Sequence, residues 1–354
     1  MKRPAPLTFQ LAAGVRRGVR LPQFDALKGL AMALVLEYHW HGAAGLPGPD
    51  ALKGEVGVDI FLLASGILLG INSQDLQPRE FLQRRFLRIY PAYWFALALF
   101  LCLNAHFFGD HRPWQDIALH VAGLHGFGRP EFFSSIDDSF WFISIIVLLY
   151  GAFLVLRRRL GDLGLLLLVG GGLTLLLADY YDATQNAGGG GHLAVRVPTV
   201  FLGLILGRIA SGRPLEFHWS PVGVAGIVLL AYLALMRWYV FEYALIALAW
   251  TVAFLAADRW LRRRHGGRVL LAGFAALGVY SYEIYLLHQP LIRDYDRLAM
   301  ARWWQIVYPT PFQVWVAMLA GAAVTAGAAW LLHRASEALF RRRRPAPPAD
   351  RAAA

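Results

Sequence analysis

The run Phe24-Asp25-Ala26-Leu27-Lys28-Gly29-Leu30-Ala31-Met32-Ala33-Leu34-Val35-Leu36-Glu37-Tyr38-His39-Trp40-His41 decides the class of this chain. Leu, Ala and Met are strong helix formers and no proline interrupts them. Continued to residue 43, the stretch reaches the roughly 20 mostly apolar residues that a helix needs to cross about 30 Å of hydrocarbon. It nonetheless carries Asp25, Lys28, Glu37, His39 and His41. A titratable side chain in hydrocarbon costs several kcal/mol unless it is paired or faces water, so each is a functional candidate.

Nine more segments of this kind lie near 55–72, 91–108, 138–156, 163–178, 194–210, 221–238, 240–257, 269–291 and 311–333. The 354 residues are 57% apolar and 16% charged, with mean hydropathy +0.46. A soluble domain is about one quarter charged, so soluble domains and disorder are both excluded. The expectation is an all-α polytopic membrane protein of about ten transmembrane helices.

The net charge of +11 finds its explanation in topology. Basic residues resist translocation. With both termini cytoplasmic, 25 of the 34 Lys and Arg fall on the inner side. Lys53, Arg112, Arg129, Arg196, Arg237 and three arginines beyond residue 292 fall outside, and Lys28 lies within the first span. The partner implied is the lipid bilayer, and nucleic acid is excluded. Residues 1–20 read as a cytoplasmic leader without the long apolar core of a cleavable signal. Residues 21–335 form the membrane domain, and 336–354 a basic, Pro/Ala-rich tail expected to be disordered. Cys102 is the single cysteine, so no disulfide framework forms within one chain.

Between spans two and three, Gln77 to Pro91 sets Phe81, Leu82, Phe86 and Ile89 apart from Arg84, Arg85 and Arg88. This pattern predicts an interfacial helix, either an anchor on anionic lipid or a binding element. In the first span Lys28 and His39 are eleven residues apart. At about 100° per residue they share one face, about 16 Å apart along the axis. Asp25 is one turn before Lys28 and could neutralise it. His39 and His41 also suit a water-facing helix end. Asp59, in Gly57-Val58-Asp59-Ile60-Phe61, needs a partner, for which His39, His41 or Lys53 are available. Ser65 and Gly66 permit close helix approach. Asp137-Asp138-Ser139-Phe140-Trp141-Phe142-Ile143-Ser144 opens the fourth span with aromatics that also suit an interfacial belt. In Ser281-Tyr282-Glu283-Ile284-Tyr285-Leu286-Leu287-His288, the residues Ser281, Tyr285 and His288 make a polar stripe that a cavity tolerates and lipid does not. The histidines lack metal-ligand spacing, and no tightly bound cofactor is indicated.

Taken in order, five of these pieces resemble the acyltransferase 3 family of bacterial integral-membrane acyltransferases. They are Phe24–Ala31 with Tyr38-His39, Gly57–Phe61 with Ser65-Gly66, Arg84–Pro91, Trp141–Ser144 and Ser281–His288. The resemblance runs from about residue 20 to 333. It implies an acyl-CoA co-substrate, acetyl-CoA above all, reaching the protein from the cytoplasm. It also implies an essential histidine in the first span and a glycan or lipid-linked saccharide acceptor at the cytoplasmic (inner) membrane of a bacterium. The family's signature is an arginine and a histidine separated by ten residues. The histidine maps onto His39, while Lys28 stands where the arginine would be and lacks its bidentate fork. Many members carry a glutamate five residues after the fourth-span tryptophan, where this chain has Ile146.

On that basis His39 is expected to act as general base with Asp59 as its orienting carboxylate, or else to carry the acyl group itself. Lys28, Arg84, Arg85 and Arg88 are expected to meet the donor's phosphates. Asp25, Ser65, Trp141, Ser144, Tyr282, Tyr285 and His288 are expected to support the site. The competing readings are a transporter or flippase for lipid-linked saccharides, and an acyltransferase with a cytoplasmic or lipid acceptor.

Overall fold

The computed structural model describes residues 5–11, 14–15, 20–44, 54–128, 130–184, 193–292, 323–335 and 338. The helices are α1 (Pro22–Ala44), α2 (Val56–Asn72), α3 (Pro78–Phe108), α4 (Trp114–Ala122), α5 (Trp141–Leu156), α6 (Leu163–Thr184), α7 (Val197–Ala210), α8 (Pro221–Met236), α9 (Glu242–Leu261), α10 (His265–Val279) and α11 (Ser281–Ile292). Residues 323–335 are also helical. By length and composition four stretches can cross a membrane: Pro78–His106, Asp138–Leu156, Leu163–Tyr180 and Trp238–Leu261. The pair His265–Val279 and Ser281–His288 makes a fifth if it is one span, bent by 64°. The chain is thus a mostly helical membrane protein. Most of the expected tenth span, the tail, Lys53 and the His41 side chain lie outside the described residues.

Helix α1 sits in the middle of the bundle. Leu27, Ala31, Met32 and Val35 are buried, and α1 packs against α2, α10 and α11. A helix apolar on most faces belongs inside a bundle. Glycines bring two of these contacts down to backbone distance. A Cβ on Gly29 would lie 1.8 Å from the Phe274 carbonyl oxygen, and one on Gly278 would lie 1.8 Å from that of Asp25. The expected close approach at Gly66 is made to α7, where a Cβ would come within 2.9 Å of Gly203 Cα.

Several sequence expectations change. The basic segment and the third span are one 31-residue helix, α3, with Pro91 inside it. Its basic half is not a separate interfacial helix, because buried Phe81 packs edge-to-face on Tyr150 at 5.9 Å and at a tilt on Phe153 at 4.9 Å, both of α5, and holds it in the bundle. The ninth span breaks at Tyr280, where Ser281 Oγ donates to the Gly278 carbonyl at 2.8 Å. The expected spans 221–238 and 240–257 are joined by a short 3-10 turn, Trp238–Phe241. The fold is not wholly α: β1 (Leu7–Phe9) pairs antiparallel with β2 (Leu215–Phe217), Leu7 opposite Phe217, tying the leader to the loop after α7. The stretch 109–137 between α3 and α5 holds α4.

Candidate active site

Lys28 and His39 project from α1 as their spacing required. Lys28 has the charges of Arg88, Asp25 and Arg85 within electrostatic reach. Asp25 does not pair with Lys28 directly; its Oδ2 accepts from Arg20 Nε at 2.7 Å. The three arginines of α3 divide. Arg84 pairs with Glu80 at 2.5 Å, one turn back. Arg85 donates to Ser73 Oγ at 2.9 Å and lies over the Phe81 and Tyr150 rings. Arg88 is exposed. Like charges gathered in this way repel, and an anion placed among them relieves the repulsion.

At the other end of the shared face, the His39 ring lies 4.8 Å from that of His288, centroid to centroid, at 54°. α11 brings His288 there and fixes it. His288 is fully buried, and its Nδ1 lies 2.6 Å from the Tyr285 carbonyl oxygen. A carbonyl only accepts, so Nδ1 carries the hydrogen and Nε2 the lone pair. Nε2 is closed from water and has no hydrogen-bond partner among the described residues. Tyr285 is held in turn, its hydroxyl donating to the Ser139 carbonyl at 3.0 Å. Asp137 Oδ1 accepts from the Ser139 amide at 2.8 Å and from the Ser139 hydroxyl. Tyr282 donates to the Ile89 carbonyl of α3 at 2.9 Å. The polar stripe of α11 therefore faces protein and locks the helix to α3 and to the start of α5.

Asp59 is placed differently from the sequence expectation. Its carboxylate lies 3.2 Å from Arg196 Nε and accepts from Thr199 Oγ1 at 3.1 Å. Among the described residues its partners are thus Arg196 and Thr199 and not His39; the His41 side chain and Lys53 lie outside them. Arg196, counted by sequence among the outer residues, is fully buried at the start of α7. A buried guanidinium needs compensation worth several kcal/mol. The Tyr243 and Trp141 rings cover it at 4.0 and 5.5 Å, and Glu55 approaches within 3.5 Å. Trp141 thereby serves this network, and Ser144 Oγ accepts from the Gly126 amide at 2.9 Å, pinning the loop after α4 to α5. Ser65 is half-buried on α2 beside the glycine contact.

A second buried cluster escaped the sequence reading. His120 Nδ1 lies 2.9 Å from Asp116 Oδ1, and the His120 and His125 rings stack at 3.8 Å, inclined by only 6°. Burial, and then the neighbouring His120, push His125 down to about 2; burial also lowers His120. Asp116 and His120 stand one helical turn apart, a spacing visible in the sequence but shared by many surface pairs. Among the described residues no group of three or more His, Cys, Asp or Glu is arranged to hold a metal ion.

A bundle of apolar helices with two facing imidazoles inside it and a cationic group on the same central helix has the form of an integral-membrane transferase site. The family model described as an acyltransferase domain matches residues 21–334, and the chain belongs to that family. Among curated proteins, one of Acidianus two-tailed virus, provisionally named an acetyltransferase, is 29% identical over 164 residues, 46% of this chain and 48% of the viral protein. The chain thus spans about half the length of that relative. No solved structure matches.

Proposed function

We propose that this protein moves an acyl group, most simply acetyl, from acyl-CoA to a hydroxyl of a glycan or lipid-linked saccharide at the bacterial cytoplasmic membrane. The observation that carries the reading is the His39–His288 pair, about 16 Å along α1 from Lys28. Lys28 and exposed Arg88 suit the donor's phosphates, with Arg85 adding its field. The axial gap is within the reach of an extended pantetheine arm, so the thioester can meet His39.

In the transfer, the acceptor oxygen attacks the thioester carbonyl carbon; the C–O bond forms and the C–S bond breaks. His39 takes the hydroxyl proton and returns it to the departing thiolate, and imidazole has the pKa suited to both moves. A base of this kind needs its second nitrogen oriented. Asp59 is engaged by Arg196 and Thr199, whereas the His288 ring is fixed beside that of His39 with the Nε2 lone pair uncommitted among the described residues. We therefore assign the orienting role to His288. Tyr285, Ser139 and Asp137 position it, while Asp59, Trp141 and Arg196 hold α2, α5 and α7 together around the site.

The test is mass analysis of surface glycan from cells carrying the native gene, a deletion, or His39→Ala. The native chain should add one acyl increment, which the other two lack although His39→Ala still accumulates in membranes. Retained acylation in His39→Ala would falsify the role given to His39.

A further inference from the structure

A groove between α3, α4 and α5 shares only Arg85 with the residues given a part in that reaction. It encloses about 740 Å³, lined by Leu82, Phe86 and Trp94 of α3, Val121 of α4 and Val147 of α5, with Arg85 near one end. The volume is that of a single-ligand site. From Leu82 to Trp94 the α3 wall rises about 18 Å, a little more than half the roughly 30 Å hydrocarbon thickness and so about one leaflet deep.

The end opposite Arg85 is firmly built. Three successive carbonyls at the close of α4 accept hydrogen bonds from α3 side chains: His120 from the Tyr93 hydroxyl at 2.8 Å, Val121 from Trp94 Nε1 at 2.9 Å and Ala122 from the Tyr90 hydroxyl at 2.8 Å. Carbonyls at a helix end lack intrahelical partners, and here aromatic donors clamp the short helix to its neighbour. On the α5 side Gly151 leaves the groove open: a Cβ there would meet nothing within 4 Å. At the Arg85 end, the guanidinium has one arm on Ser73, while its Nε is shut off from water without a hydrogen-bond partner among the described residues.

We infer that this groove seats one hydrocarbon chain of a phosphate-headed membrane lipid, with the headgroup drawn to Arg85. Burial of each methylene favours binding, and the apolar walls provide that burial. A partly desolvated cation at leaflet depth selects an anionic head over a zwitterionic one. The inference requires neither His39 nor a donor, but it shares Arg85 with the proposed donor site, and competition with coenzyme A separates the two.

The experiment is native mass spectrometry of the full chain in neutral detergent, titrated with dioleoylphosphatidylglycerol or dioleoylphosphatidylcholine. One phosphatidylglycerol should be retained at about tenfold lower concentration than phosphatidylcholine, the value of one charge-assisted hydrogen bond. Gly151→Leu fills the groove from α5 and should remove the retained lipid. Ala118→Leu fills it from α4 and should do the same, with thermal unfolding in detergent showing that each variant is folded. Arg85→Gln should keep a lipid but lose the preference. Equal retention of the two lipids by the native chain, or undiminished retention in both folded leucine variants, overturns the proposal. So does displacement of phosphatidylglycerol by free coenzyme A, which would assign the Arg85 end to the donor.

Discussion

The imidazole of His288 stands 4.8 Å from that of His39, and the carbonyl of Tyr285, 2.6 Å from its Nδ1, makes Nε2 the nitrogen that keeps the lone pair. Two helices far apart in sequence thus bring two imidazoles side by side. The chemistry proposed rests on this meeting, and the first two tests address it.

His39→Ala is expected to lower acyl transfer by about 10³-fold, within the range that general acid–base catalysis supplies. Coenzyme A release from acyl-CoA in purified membranes, with and without acceptor, measures it. Hydroxylamine-sensitive acylation of the native protein in the absence of acceptor would select the acyl-histidine route over direct transfer.

His288→Ala is expected to cut kcat by about 10²-fold while leaving the donor KM within a factor of about two, because an orienting acceptor acts in the transition state and not in donor binding. His288→Gln keeps an acceptor and should recover part of the loss. A purely structural role predicts equal damage from both variants and an unshifted pH–rate profile.

Lys28→Met should raise the donor KM about tenfold or more, the value of a charge-assisted hydrogen bond, with kcat little changed. Lys28→Arg restores the family's residue and its fork, so it should match or exceed native affinity. Weakened donor affinity in Lys28→Arg would show that the site is shaped around a lysine.

Arg196→Met leaves Asp59 and Glu55 without their cation. Breaking a buried ion pair from one side costs about 3–5 kcal/mol, so the detergent-solubilised protein should unfold at markedly lower temperature. Asp59→Asn added to Arg196→Met should recover part of that loss, and the double-mutant cycle measures the coupling.

The stacked His120–His125 pair gives stability a pH dependence of definite sign. Both are lowered in the folded chain, His125 to about 2, against roughly 6.5 when unfolded. Above pH 6.5 both states are neutral and nothing is lost. As pH falls below 6.5 the unfolded chain takes up protons that the folded chain refuses. Stability should then decline by up to about 1.4 kcal/mol per pH unit for each group. Unfolding midpoints at pH 7.5, 6 and 5 check this; His125→Phe, which keeps a stacking face, should flatten the slope, and a native midpoint unmoved down to pH 5 would contradict it.

Much of the site was legible because helical spacing is short-range arithmetic. Lys28 and His39 share a face whatever surrounds α1, and Ser281, Tyr285 and His288 form a stripe by the same rule. Partnership across helices was not legible. Asp59 needed a partner, but which one depends on how α7 is seated, and Arg196 beside Pro198 looked like a topological charge until the fold buried it. The fusion of the basic segment with the third span was hidden by Pro91, since the aromatic stacking that carries the helix through comes from α5, some sixty residues on. The histidine stack was missed for the same reason: its geometry needs a loop to fold back under a helix.

The contact between Gly29 and Gly278 has a consequence for tuning. It lies at the Lys28 end of α1, where Gly278 meets Asp25 and Gly29, and α11 follows α10 immediately beyond it. Any side chain at either glycine would wedge α10 outward and carry His288 with it, while Lys28 and His39 stay where α1 puts them. Two residues without functional groups thus act as the gauge blocks of the site. Exchanging them for alanine is an indirect way to widen the imidazole gap without touching an imidazole.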